Sequence, residues 1–389
     1  LKKIIFINSH PIQYFAPLYA YLNLKDLPAS CWYCSEETLR EHLDVEFGSK
    51  VAWDIPLLEG YAYRFFRNRS WKPSLYKGFF GLINPGMISA LFRQPKSVVI
   101  VHGWAYLTNI LVIIFGRLAG HTICLRAESP LNQELLKSGS SRSVKRFIFR
   151  FFLFPFIQKF LFIGSQNKAF YQYYGVKENR LLFTPYAVDN ARFQQAASRL
   201  LPQKKELRSL LGLPVDSRII LFTAKFISKK RPMDLLEAYH RLSLPGKCLV
   251  MVGDGELRKA MEALIELKAI PNVYLPGFVN QTEIEKYYAV ADVFVLCSEQ
   301  GETWGLSVNE AMNFNLPVVC SDQAGCAEDL MRPGLTGFVF KTSKINDLKE
   351  RIQDALMLNA ISKEVIDVYS FETIKKSLAL LANESYVPA

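Results

Sequence analysis

The sequence predicts an α/β protein made of two parallel-sheet domains, and three observations carry that prediction. At 389 residues the chain is longer than one hydrophobic core normally supports. Half of its residues are hydrophobic and about a fifth are charged, which is ample core material for globular domains. Short apolar, strand-length runs alternate with helix-length periodic segments, and the alternation restarts after a polar, Gln/Lys-rich stretch at residues 192–206, where the domain boundary is placed.

The first strand, residues 2–7, runs into Asn8-Ser9-His10-Pro11-Ile12-Gln13-Tyr14, and residues 15–24 read as the first helix. The turn after a strand's C-terminal end is where an open α/β sheet holds ligand contacts. This turn lacks the glycines of a dinucleotide fingerprint, and His10 either touches substrate or caps the turn. A second strand is expected at 29–33. Residues 98–116 carry no charged side chain apart from a possible His102 and have the length of a membrane span. A strand at 97–101, a turn at His102-Gly103-Trp104 and a buried helix at 105–118 explain the same residues. His102 then stands at the tip of a parallel strand, facing the same crevice as His10. Arg126 and Glu128 follow the apolar strand 122–125 and read equally as a structural ion pair and as contacts to an acceptor.

The charge is unevenly placed. Residues 1–200 hold 25 Lys/Arg against 12 Asp/Glu, residues 201–389 hold 22 against 24, and residues 60–160 alone hold 15 against 2. Such a field points to a polyanionic surface, membrane or nucleic acid. Residues 64–72 mix Arg64, Arg67, Arg69 and Lys72 with aromatic side chains. Residues 140–164 interleave Arg142, Lys145, Arg146, Arg150 and Lys159 with a dense Phe run. Pro155 and the internal charges argue against a spanning helix there, whereas a basic, Phe-rich segment suits the membrane interface, its cations on anionic lipid. The competing reading is a helix packed on its own sheet, with a strand at 160–163. An anionic membrane ranks above nucleic acid because Phe outnumbers Tyr and Trp and no nucleic-acid motif occurs. Seven cysteines, mostly on apolar strands, read as reduced thiols of an intracellular protein.

In the second half a strand at 218–223 ends in Ala224-Lys225 and then Lys229-Lys230-Arg231-Pro232, with a helix from about Met233. Four cations in a turn that opens a helix make an anion site by charge and by dipole. The strand 248–252 is tipped by Gly253-Asp254-Gly255-Glu256, a glycine fingerprint without its third Gly, so a nicotinamide cofactor has little support. A strand at 273–275 with Pro276-Gly277-Phe278 and a helix at 282–290 follow. Next, an apolar strand at 293–296 ends in a polar loop holding Glu302, a helix containing Glu310 begins near Gly305, and a strand follows at 318–320. The first amides of that helix, at Gly305 and Leu306, lack intrahelical partners and carry the positive end of its dipole. Two carboxylates beside an anion site suit a ligand that is part phosphate and part polyol, such as a nucleotide sugar. Either glutamate taken singly also fits an ordinary acidic helix start. The amphipathic tail, 370–383, is expected to pack back across a domain face.

Lys225 and Lys230, Gly253-Asp254-Gly255, Pro276-Gly277-Phe278, and Glu302 and Glu310 with Trp304-Gly305 between them resemble the C-terminal domain of the family 4 glycosyltransferases with the GT-B fold. His10-Pro-Ile-Gln-Tyr14, His102-Gly-Trp104 and Pro185-Tyr-Ala-Val-Asp189 are similar to members of that family. The resemblance implies two Rossmann-like domains facing a cleft. Residues 1–195 would form the acceptor and membrane side, residues 205–365 would hold a nucleotide sugar, and a helix in 366–389 would return toward the first domain. It implies transfer with retention at the anomeric carbon, without a bound metal or any other cofactor. Residue by residue, it implies that Lys225 and Lys230 hold the diphosphate, with Gly253 in the same donor site. The amides of Gly305 and Leu306 would cap the distal phosphate, and the backbone near Gly277 and Phe278 would read the base. Glu310 would accept from ribose hydroxyls, Glu302 from the transferred sugar, and His102 would lie near the reacting sugar. His10, Arg126 and Glu128 fall on the acceptor side. Where the family usually has Arg and then Lys-Gly, this chain has Lys225 and then Lys230-Arg231, which keeps the charge without the bidentate fork.

The expected protein is a cytoplasmic glycosyltransferase, peripheral on the inner face of the membrane, adding a sugar to a lipid-linked or polysaccharide-precursor acceptor. No Asp-x-Asp occurs and the five histidines are scattered singly, in keeping with a metal-free reading; leaving-group charge would then fall to lysines and helix amides. No nucleic-acid partner is expected. Two alternatives stay open. One is a noncatalytic basic module gripping membrane or nucleic acid through residues 60–160, marked by steep salt dependence without nucleotide affinity. The other is a GT-B phosphorylase or epimerase.

Overall fold

The computed structural model describes residues 1–39, 42–44, 49–51, 53–358 and 361–383. The chain divides into two units, one of residues 1–40, 56–186 and 371–389, the other of residues 41–55 and 187–370. The strands in chain order begin with β1 (Ile4–Asn8) and β2 (Ala29–Tyr33), followed by an antiparallel pair that belongs to the second unit, β3 (His42–Asp44) and β4 (Ser49–Val51). Then come β5 (Ala62–Phe65), β6 (Val98–His102), β7 (Thr122–Arg126), β8 (Lys159–Phe162) and β9 (Leu181–Phe183). The second unit continues with β10 (Arg218–Thr223), β11 (Lys247–Val252), β12 (Val273–Gly277), β13 (Val293–Leu296), β14 (Val318–Ser321) and β15 (Gly337–Phe340).

The first unit's sheet has the order β5-β2-β1-β6-β7-β8-β9 and the second unit's β12-β11-β10-β13-β14-β15, and neighbours in both are parallel. Parallel strands need crossovers, and the crossover helices cover the sheet faces. That is why Ile4 to Ile7 and Val98 to Val101 are continuous apolar runs without alternation, and why every one of those side chains is buried.

Some elements match expectation and others depart from it. The helix Leu107–Leu118 buries one face, and Gly116 lets it approach the sheet so closely that an added Cβ would stand 2.8 Å from Ile123 Cδ1. Among the described residues no helix is long and apolar enough to cross a membrane. The expected linker contains a helix, Asn190–Leu200. Asp189 caps it by accepting from the Arg192 amide at 3.0 Å, and Gln194 donates to Asn313 at 3.0 Å, so the division between units falls before the helix, at Ala187. The C-terminal helix Phe371–Asn383 belongs to the first unit. Tyr21 donates to Glu372 at 2.7 Å, and the Lys2 amide donates to the Ala382 carbonyl at 3.0 Å.

The Phe-rich segment forms a helix, Gly139–Ile148, continued by a π-helical turn, Phe149–Leu153. The basic residues do not all face outward, as an interfacial helix would have them. Lys145 Nζ sits 2.9 Å from the buried carboxylate of Glu134 and 5.0–5.5 Å from the ring centres of Trp104, Phe149, Phe170 and Tyr174. Lys159 lies in β8 and donates to the Asn179 carbonyl at 3.2 Å. What the segment does turn outward is apolar: Val144, Phe147, Ile148, Phe151 and Phe152 are all exposed. All seven cysteines are buried and none forms a disulfide, and burial pushes the Cys31 thiol up to about 12.

Candidate functional site

The residues expected to bind the donor collect at the C-terminal edge of the second sheet, the edge at which a parallel sheet gathers ligand contacts. β10 leads through Lys225 to the turn Ser228–Lys230, β11 to Gly253, β12 closes on Gly277, and β13 leads past Glu302 to the helix Leu306–Asn313. Gly305 caps that helix with φ +105°, a left-handed conformation that L side chains rarely adopt, and an added Cβ would stand 2.6 Å from Leu296 Cδ2. Glycine therefore lets the chain turn tightly off β13. It supplies no capping side chain, so the first-turn amides are left to acceptors from elsewhere.

The cationic turn after β10 is balanced within its own unit. Lys230 forms an ion pair with Glu302, whose carboxylate also accepts from Ser298 Oγ at 2.9 Å; both charged side chains are more than four-fifths buried. Arg231 adopts a left-handed conformation at the start of the helix Pro232–Arg241 and pairs with Asp234 at 2.7 Å and Glu299 at 2.6 Å. The Glu299 amide donates to the Lys229 carbonyl at 2.8 Å, tying the two loops together. The turn is thus a set of paired charges rather than a bare anion site, and Lys230 and Glu302, expected to serve different parts of a ligand, hold each other in place.

Glu310 is buried in the helix, and its Oε2 accepts from the Tyr288 hydroxyl at 2.6 Å, which in turn lies 3.1 Å from Thr223 Oγ1 at the tip of β10. Sequence reading missed Tyr288 and Thr223. The only signal was a polar residue ending an apolar strand and a Tyr in a helical stretch, neither of which says what it touches. Gly253 has φ +145°, and an added Cβ would meet the Ala224 carbonyl at 1.9 Å, so it permits the turns after β10 and β11 to nest. Its amide donates to the Gly277 carbonyl at 2.9 Å. Phe278 meets Trp53 edge-on at 6.3 Å, and the Thr282 amide donates to Asp54 at 3.1 Å. Residues 53 and 54, assigned from sequence to the first domain, thereby belong to the second unit beside the position expected to read a base.

In the first unit His102 and Arg126 end the neighbouring strands β6 and β7 and face each other in register. Asn109, buried, donates to the carbonyls of His102 and Gly103 at 2.8 and 3.1 Å and holds the turn. Burial, reinforced by the charge of Arg126, keeps the His102 imidazole well below the ordinary histidine range, so it is neutral at pH 7. Phe15 packs against the His102 ring at 4.7 Å and stacks with Tyr186 at 5.9 Å, and the Arg126 guanidinium lies over both rings. Burial raises the Glu128 carboxyl, opposed by Arg126 and by a hydrogen bond from Tyr186. His102, Arg126 and Glu128 are therefore brought together, with Phe15 and Tyr186 as walls. His10 lies two residues beyond the tip of β1, its Nδ1 2.9 Å from Ser9 Oγ. Separately, a cavity of about 380 Å³ opens past the ends of β2 and β5, lined by Ser35, Glu36, Phe65 and Arg67 among others. Among the described residues no three His, Cys, Asp or Glu side chains cluster as a metal site would need.

Residues 203–367 match the family described as Glycosyl transferases group 1. Among curated proteins, alpha-monoglucosyldiacylglycerol synthase of Acholeplasma laidlawii is 32% identical over 120 residues, 30% of either protein. Sulfoquinovosyl transferase SQD2 of Arabidopsis thaliana is 28% identical over 219 residues, 54% of this chain and 41% of that protein. The alignments thus span less than half of those relatives' own length. Among solved structures, Anabaena Alr3699/HepE in complex with UDP and glucose superposes with a TM-score of 0.70 at 15% identity, covering 98% of this chain and 99% of that one. A likeness at that identity speaks to the fold, and the fold is GT-B.

Proposed function

We propose that the chain is a GT-B glycosyltransferase of group 1, similar to family 4, that moves a sugar from a nucleotide-sugar donor to a lipid-linked or polysaccharide-precursor acceptor at a membrane surface. The observation that carries this reading is the constellation at the C-terminal edge of the second sheet: Glu310 held by Tyr288, the Lys230–Glu302 pair, and the glycine-capped helix at Gly305, all inside the matched residues 203–367. Lys225, Lys230 and the amides of Gly305 and Leu306 take the diphosphate, and Gly253 keeps the adjoining turn close. As the glycosidic bond to the nucleotide breaks, negative charge grows on the leaving phosphate, and fixed lysines and helix amides stabilise it without reorganising. Gly277 and Phe278 border the base, Glu310 accepts from the ribose hydroxyls, and Glu302 accepts from the sugar while steadying Lys230. The neutral His102 imidazole serves the reacting sugar as a hydrogen-bonding group. Transfer proceeds with retention and needs no metal or cofactor.

The acceptor side is the first unit, and its exposed Phe147, Ile148, Phe151 and Phe152, flanked by Arg142, Arg146 and Arg150, favour an interfacial location on the cytoplasmic face of the membrane. A relative that makes a glycolipid by name, the alpha-monoglucosyldiacylglycerol synthase above, supports a lipid acceptor. The test is a thermal-shift panel of nucleoside diphosphates and nucleotide sugars, with and without chelator, on the unmodified chain and on Glu310→Ala. One nucleotide should stabilise the unmodified chain in chelator, and Glu310→Ala should lose that shift. If no nucleotide shifts either protein, the donor site is not where this reading puts it. The anomeric configuration of the product, read by NMR, decides between retention and inversion.

A further inference from the structure

Three adjacent strands of the first sheet, β1, β6 and β7, end in Asn8, His102 and Arg126. Arg126 is the register partner of His102, and Asn8 follows the Ile7–Val101 pair, so the three occupy one row and project from one face of the sheet. Each carries a buried polar atom without a hydrogen-bond partner: Asn8 Oδ1, His102 Nε2 and Arg126 Nη1. Native interiors rarely leave such atoms unsatisfied, and three in one row at a sheet's ligand-facing edge is a pattern rather than an accident.

Arg126 is the most telling of the three. It is only 5% exposed, and its remaining polar contact is a 3.4 Å reach from Nη2 to the Pro185 carbonyl. Phe15 and Tyr186 clamp the guanidinium from two sides, 5.1 and 4.8 Å from their ring centres, which fixes its plane and leaves Nη1 directed by that plane. Among the described residues no carboxylate lies within ion-pair distance of it, although its charge favours the ionised form of the buried Glu128. Glu128, two residues on, accepts from the Tyr186 hydroxyl instead. A planar, permanently charged fork held rigid and left incomplete is built for a planar or tetrahedral oxyanion.

We propose that Arg126 forms an oxyanion subsite in the first unit that receives a phosphate or carboxylate group of the acceptor, next to the His102 imidazole that serves the reacting sugar, with Asn8 Oδ1 available to a hydroxyl beside it. Assigning the anion to the acceptor rests on the glycosyl-transfer reading; the existence of the subsite does not. Its consequence is specificity: acceptors carrying a phosphorylated or uronate group would be chosen over neutral ones, because a group without an oxyanion leaves the buried Arg126 Nη1 without an acceptor.

The test uses the whole chain with Lys225→Ala and Lys230→Ala, which removes the lysines placed at the donor diphosphate. Its thermal midpoint is followed with inorganic phosphate or glucuronate against chloride at matched ionic strength. At least one oxyanion should raise the midpoint by about 2 °C at concentrations well above its Kd. Adding Arg126→Met should abolish that rise, and Arg126→Lys should retain less than half of it. Arg126→Lys, which keeps the charge beside the buried Glu128, serves as the second variant should Arg126→Met fail to fold. A response to phosphate alone assigns a phosphorylated acceptor group, and to glucuronate alone a uronate. The proposal is overturned if neither anion shifts the double-lysine chain, or if the shift survives Arg126→Met. A donor site that failed would show instead as absent nucleotide binding by the unmodified chain, which the phosphate arm does not read.

Discussion

Gly305→Ala tests whether the glycine turn, rather than the charges around it, sets the donor site. Holding alanine at φ +105° costs about 1–2 kcal/mol, and the new Cβ, 2.6 Å from Leu296 Cδ2, adds about 1–3 kcal/mol of overpacking, because Leu296 ends a buried strand and has little room to move. Together about 2–5 kcal/mol is lost from the second unit, which lowers its thermal midpoint by roughly 4–20 °C for a domain of this size. The cheapest relief is to push the start of the helix Leu306–Asn313 away from β13, which displaces the amides meant for phosphate, so nucleotide affinity should fall about tenfold or more. Gly212→Ala is the control, since φ is +66° there but an added Cβ meets nothing within 4 Å; it should cost only about 1 kcal/mol and leave nucleotide affinity unchanged. Differential scanning calorimetry and nucleotide titration calorimetry on both variants decide the matter. Equal midpoints and equal affinities for the two would refute the reasoning.

Three other predictions follow from the same geometry. Glu302→Gln frees Lys230 from a partner it must share with the donor, so a nucleoside diphosphate without sugar should bind about three- to tenfold tighter while kcat falls; weaker diphosphate binding would contradict the shared-lysine account. His102 binds a proton less readily when folded than when unfolded, because burial and then Arg126 disfavour its charged form. Its effect on stability is therefore absent above the unfolded pKa of about 6.5 and grows unfavourable as pH falls below it. Replacing it by Phe should flatten the decline in thermal midpoint between about pH 6.5 and 5, and an unchanged slope would count against the buried neutral imidazole. Replacing Phe147, Phe151 and Phe152 together by Ser should reduce sedimentation with anionic phosphatidylglycerol vesicles about tenfold or more without changing nucleotide affinity; undiminished sedimentation would move the membrane contact elsewhere.

The alternation of apolar runs and helical periods was enough to place most strands of the two parallel sheets, β5, β9 and β15 excepted, since a parallel sheet covered on both faces leaves a continuous hydrophobic signature in the chain itself. Glu302, Gly305 and Glu310 were legible for the same reason: they lie within one strand-loop-helix unit, where spacing along the sequence is close to spacing in space. Other features depended on contacts between distant segments and left no local trace. Tyr288 reaches Glu310 from another helix, Trp53 joins Phe278 across more than two hundred residues, and Lys230 finds Glu302 from a different turn. Lys145 shows the limit most sharply. As a letter in a basic, aromatic run it reads as a lipid-facing cation, yet it points inward to Glu134, and the exposed surface is the phenylalanines beside it. Composition and period report how much of a segment can be buried, whereas which face turns inward depends on what the rest of the chain brings to meet it, and only the tertiary structure decides that.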